Sequence, residues 1–67
     1  GLIGESMMKD YDVAMYVANG YSSNIHPDEI FEDLVKFGVD EEQYIRVHKV
    51  LDKKWAKDIE MTKEDFK

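Results

Sequence analysis

Residues 34–55, LVKFGVDEEQYIRVHKVLDKKW, hold the end of one amphipathic helix, a Gly38-Val39-Asp40 turn and most of a longer second helix. Gly38 lacks a Cβ and can take the left-handed conformation that ends a helix. Asp40, with Gln43 three residues on, has the spacing of a capping box at the start of the next. The corner between two helices is therefore specified from both sides, and the rest of the chain is read outward from it.

Downstream, the spacing predicts a helix from Glu41 to about Ile59 whose core seam is Tyr44, Val47, His48, Leu51, Trp55 and Ile59. At about 100° per residue, Arg46, Lys49, Lys53 and Lys57 form a basic stripe on the opposite side. Upstream, Pro27 suits the first helical position, where its missing N–H costs nothing. A helix from Pro27 to Phe37 follows, with Ile30, Phe31, Leu34 and Phe37 as its apolar stripe and Asp28, Glu29, Glu32, Asp33 and Lys36 toward water.

Before that lies a turn-rich connector, GYSSNIH (residues 20–26), which Tyr21 and Ile25 are expected to pin to the core. Met7, Tyr11, Ala14, Met15 and Ala18 recur at helical spacing, with Asn19-Gly20 as the stop. A strand reading of Tyr11, Val13, Met15 and Val17 also stands, but no second strand offers itself for pairing. Val13, Tyr16 and Val17 point to another side of that first helix, as Ile45 and Val50 do on the third. They are read either as an exposed apolar patch or as a first helix buried on two sides.

The expected fold is all-α: a small three-helix bundle with a helix-turn-helix-like corner between helices 2 and 3. Residues 1–6 read as the leftover of a cleaved tag, 7–60 as one domain, and 61–67 as a tail that frays after Ile59. In that tail Thr62 and Asp65 are spaced as capping-box partners, and Phe66 can dock back.

The 67 residues make a domain that buries only roughly 60% of its unfolded surface. An apolar fraction of 43% nevertheless suits a folded chain. Without cysteine there is no disulfide, thiolate metal site or Cys nucleophile, and cytoplasmic residence is the simpler expectation. No apolar run approaches the roughly 20 residues that cross a bilayer.

The net charge of -6 opposes the counterion release that drives most nucleic-acid binding. It is unevenly spread. Asp28, Glu29, Glu32, Asp33, Asp40, Glu41 and Glu42 stand against Lys36 alone, whereas Arg46, Lys49, Lys53, Lys54 and Lys57 stand against Asp52.

Catalysis has little to build on: His26 and His48 are the only imidazoles, Ser6, Ser22, Ser23 and Thr62 the only hydroxyls of their type, and no motif positions them. No enzyme is expected. His48 and Asp52 have an i, i+4 spacing that helical metal sites use, but further ligands are not indicated, and the acidic runs lack the EF-hand pattern. No metal or cofactor is expected.

GVDEEQYIRVHKVL resembles the turn and second helix of a helix-turn-helix. Gly38 falls at the turn glycine, Val39 at the apolar position after it, and Tyr44 and Val47 at buried positions. The sequence departs from that pattern at Leu34, where a small residue usually lets the helices cross closely. It departs again at Asp40 to Gln43, where the family presents groups to DNA. Phosphates would be repelled by those acids.

The expected function is thus a small acidic, non-catalytic module that binds another protein. It would be a regulator or inhibitor of the kind phages and mobile elements encode, with the seven acids from Asp28 to Glu42 as its contact face and self-association as a homodimer also compatible. The alternative is a helix-turn-helix transcriptional regulator contacting DNA through Arg46, Lys49, Lys53 and Lys57.

Overall fold

A computed structural model describes residues 8–66 and shows three α-helices, α1 (Asp10–Ser22), α2 (Pro27–Lys36) and α3 (Glu41–Ala56), followed by a 3-10 turn at Lys63–Phe66. The described residues contain no strand. The bundle is therefore all-helical, and Tyr11 to Ala18 are helix rather than strand. Met7 and the 1–6 segment lie outside the described residues.

All three helices stop in the same way. Behind α1, Ile25 N–H donates to Gly20 and Asn24 N–H to Tyr21; behind α2, Val39 donates to Leu34 and Gly38 to Val35; behind α3, Ile59 donates to Lys54 and Asp58 to Trp55. This is the Schellman arrangement. The residue at its hinge has a positive φ each time: Asn24 at 62°, Gly38 at 93° and Asp58 at 57°. Only α2 fills that place with glycine.

Two expected boundaries move as a result. α1 does not stop at Asn19-Gly20 but runs on to Ser22, because Asn24 is its hinge. Gly20 sits inside the helix for a packing reason: a Cβ there would lie 2.6 Å from Ile30 Cδ1 and 2.8 Å from Cγ1. α3 ends at Ala56 rather than near Ile59, because Asp58 turns the chain.

Helix starts follow the sequence more closely. His26 caps α2, its Nδ1 accepting from Asp28 N–H at 3.1 Å. Asp40 caps α3 by accepting from Gln43 N–H at 2.8 Å. The Gln43 side chain does not close the capping box: its Nε2 donates instead to the Met8 carbonyl and to Asp10 Oδ1, both at 3.0 Å. Gln43 is thereby the polar residue buried among the described ones, and it ties the start of α1 to α3.

The core consists of Val13, Ala14 and Val17 from α1, Ile30 and Leu34 from α2, Val39 from the corner, and Val47 and Leu51 from α3. α1 packs against α2, α3 and the 3-10 turn. Its buried face is Val13, Ala14, Val17 and Gly20, so the expected face through Tyr11 and Met15 is corrected, Met15 being exposed. That resolves the Val13/Val17 question in favour of burial. Phe37, expected in the stripe of α2, is 46% exposed and rests edge-on against the Tyr16 ring; Ile25 is also exposed.

The C-terminal segment makes contacts with the helices and within itself. Asp65 pairs with Lys54 at 2.9 Å and accepts from Thr62 N–H at 2.7 Å, as the Thr62/Asp65 spacing implied. Phe66 packs on the core and edge-on against Tyr11.

Candidate functional site

The position of α3 against α1 decides which side chains remain on the surface. Its buried line is Gln43, Val47 and Leu51, with Val50 and Lys54 half buried. This line shares Val47 and Leu51 with the expected seam but is turned by about 60° from that seam's mean direction, which leaves Tyr44 and His48 half buried. Hydrogen bonds fix the rotation: Gln43 reaches Met8 and Asp10, and Arg46 grips the Asp10 carboxylate through Nε at 3.1 Å and an Nη at 2.9 Å. Trp55 is consequently 43% exposed and Ile59 49%, although both were expected in the core.

The basic stripe is divided by the same pairing. Arg46 is committed to Asp10, whose pKa is lowered chiefly by that guanidinium. Lys49, Lys53 and Lys57 are exposed and form no ion pair among the described residues. The acidic residues also separate into two groups. Asp40 is spent on its cap, and Asp33 accepts from the Tyr16 hydroxyl at 3.0 Å, which raises the Tyr16 pKa. Asp28 lies 3.8 Å from His26; Glu29, Glu32, Glu41 and Glu42 stand in solvent without an ion pair among the described residues.

Both ring nitrogens of His48 have polar neighbours. The Tyr21 hydroxyl lies 2.7 Å from Nε2, and Nδ1 lies 3.2 Å from Asp52 Oδ2. An Nδ1–H donating to Asp52 and a Tyr21 hydroxyl donating to Nε2 satisfy the set together. Around them the rings of Tyr44, Trp55 and Phe31 pack edge-on or tilted. Burial, with the Tyr21 hydroxyl beside it, pushes the Tyr44 phenol up to about 12. These contacts lock the C-terminal part of α1 to α3. Among the described residues no three His, Asp or Glu side chains are grouped to hold a metal ion.

The sequence pattern gave no sign of the surface around Trp55. A depression of about 470 Å³ is lined by Ala18, Trp55, Asp58, Ile59, Glu60 and Met61, and one of about 310 Å³ by Ala18, Tyr21, Ser22 and Trp55. They share Ala18 and Trp55, so they are two ends of one groove between α1 and the end of α3. A further depression, about 390 Å³, continues past Tyr21 to Tyr44, Ile45 and His48. No helix of the described residues is long and apolar enough to cross a membrane. No protein-family model, curated protein or solved structure matches the chain.

Proposed function

We propose that this domain is a small, non-catalytic interaction module that regulates or inhibits another protein by binding it. The observation that carries this reading is the placement of Trp55. A domain with one tryptophan and a core of eight small or branched apolar residues leaves the indole half exposed, in the middle of a groove that also displays Ile59. Tryptophan supplies large contact area at low entropic cost and is enriched where binding energy concentrates. Glu29, Glu32, Glu41 and Glu42 add an acidic surface that steers a basic partner and disfavours acidic ones.

The DNA-binding reading keeps Lys49, Lys53 and Lys57 but gives up Arg46 to Asp10, and two exposed glutamates still open α3. Affinity capture with wild type, Trp55→Ser and a variant carrying glutamine at the four glutamates tests the proposal. Loss of the same partner from Trp55→Ser, with its helical circular dichroism intact, is the expected result. Equal recovery by all three proteins refutes the reading, and salt-sensitive binding to duplex DNA by the wild type moves it to the regulator class.

A further inference from the structure

The groove around Trp55 has a definite charge as well as a shape. Its apolar lining is Ala18, Trp55, Ile59 and Met61, and its charged lining residues are Asp58 and Glu60. Neither carboxylate has an ion pair among the described residues. The nearby bases are occupied or turned away. Lys54 holds Asp65 at 2.9 Å, and the Lys63 ammonium stands 5.8 Å from the centre of the Tyr11 ring. Lys57 leaves the end of α3 about 160° around the axis from Trp55.

Asp58 is also held in place. Its backbone takes a left-handed conformation, φ 57°, with its N–H on the Trp55 carbonyl and the next N–H on Lys54. The equivalent hinge of α2 is Gly38, which adopts that conformation without strain. At α3 the chain tolerates the strain and places a carboxylate beside the indole. A backbone already ordered beside the aromatic surface lowers the ordering cost of binding.

We infer that the groove takes a basic amphipathic segment of a partner protein, its apolar side chains seated on Trp55 and Ile59 and its lysines or arginines on Asp58 and Glu60. This rests on the interaction reading above and adds the chemistry of the partner. A second copy seated groove to groove would bring a like-charged rim onto the same two acids.

Trp55 is the sole tryptophan and so reports directly on the groove. The probes are three tryptophan-free helical peptides of equal length: leucine with lysine, leucine with glutamate, and serine with lysine. The lysine–leucine peptide is expected to shift Trp55 emission to the blue saturably and to bind about tenfold tighter than the glutamate–leucine peptide. The serine–lysine peptide should leave the emission unmoved. Asp58→Gly, which relieves the hinge and should raise the urea midpoint, is expected to weaken lysine–leucine binding about threefold, with a similar loss for Glu60→Gln.

Equal affinity for the lysine and glutamate peptides overturns the basic-partner inference while leaving the groove as a contact surface. Unchanged affinity in both Asp58→Gly and Glu60→Gln does the same. No emission change with any peptide, together with unaltered capture by Trp55→Ser, overturns both the inference and the reading beneath it. A dimer in sedimentation velocity that Trp55→Ser dissolves assigns the groove to a second copy and refutes the inference.

Discussion

Substituting Gly20 by alanine tests a close approach between α1 and α2. Helix propensity alone favours alanine by about 1 kcal/mol in a helix interior. Against this, the new Cβ would lie 2.6 Å from Ile30 Cδ1 and 2.8 Å from Cγ1. Apolar carbons rest at about 3.5–4.0 Å, so Ile30 would have to retreat by about an ångström. Ile30 is fully buried between α1 and the rest of the core, and overpacking of this kind costs about 1–3 kcal/mol. The net expectation is a loss of about 1 kcal/mol, or about 4–8 °C in Tm for a domain of this size.

Urea denaturation followed by circular dichroism measures it, and a double-mutant cycle with Ile30→Val supplies the internal control. Removing Cδ1 takes away the nearer clash. The Cγ1 contact remains in valine, so Gly20→Ala should still destabilise there but by less than in the wild type, a coupling of about 0.5 kcal/mol. A stabilised Gly20→Ala in the wild-type background, or the same effect in both backgrounds, refutes the packing argument and means that helix propensity outweighs the clash.

Other expectations are simpler. Gln43→Leu should lose about 1–3 kcal/mol, because it strips a buried donor from the Met8 carbonyl and from Asp10; thermal unfolding against Gln43→Ala, which strips the donor without adding apolar bulk, reads it. Gly38→Ala should cost about 1–2 kcal/mol at φ 93°, whereas Asn24→Gly should be neutral or stabilising by a few tenths of a kcal/mol; paired urea midpoints check both. Asp10 and Asp65 are held below the ordinary carboxylate range by Arg46 and Lys54, so their contribution is fully present above about pH 4 and lost as pH falls through their folded values. Urea midpoints in acid should fall less steeply for Asp10→Asn than for wild type. Tyr44, pushed up to about 12, should titrate in the ultraviolet above the ordinary phenol value of about 10, and the stability it carries should disappear between about pH 10 and its folded value.

The corner at Gly38 to Asp40 was legible in the sequence because local chemistry determines it. A glycine at the hinge and an aspartate at the cap act within a few residues of themselves, and the same holds for Pro27 and the Thr62/Asp65 pair. The rotation of α3 was not legible. Period alone puts Tyr44, Val47, His48, Leu51 and Trp55 on one face, and which edge of that face is buried depends on Gln43 and Arg46 meeting Asp10 more than 30 residues away. A buried glutamine in the true seam looks like surface when only the period is read. Gly20 misled for a related reason: its value as a stop signal is local, and its role against Ile30 is tertiary. The acidic residues lie on α2 and at the start of α3 as the sequence implied, but that Asp33 is used up internally became visible only with its Tyr16 donor in place.

α1 contacts α2, α3 and the 3-10 turn, so it acts as the hub of the bundle. One wall of the Trp55 groove, Ala18 and Tyr21, belongs to this hub, and the other belongs to the end of α3. A molecule seated there would span the joint on which the whole assembly depends, rather than decorate its rim. Binding and global unfolding are then thermodynamically linked, and slow amide exchange should spread through all three helices when the groove is filled.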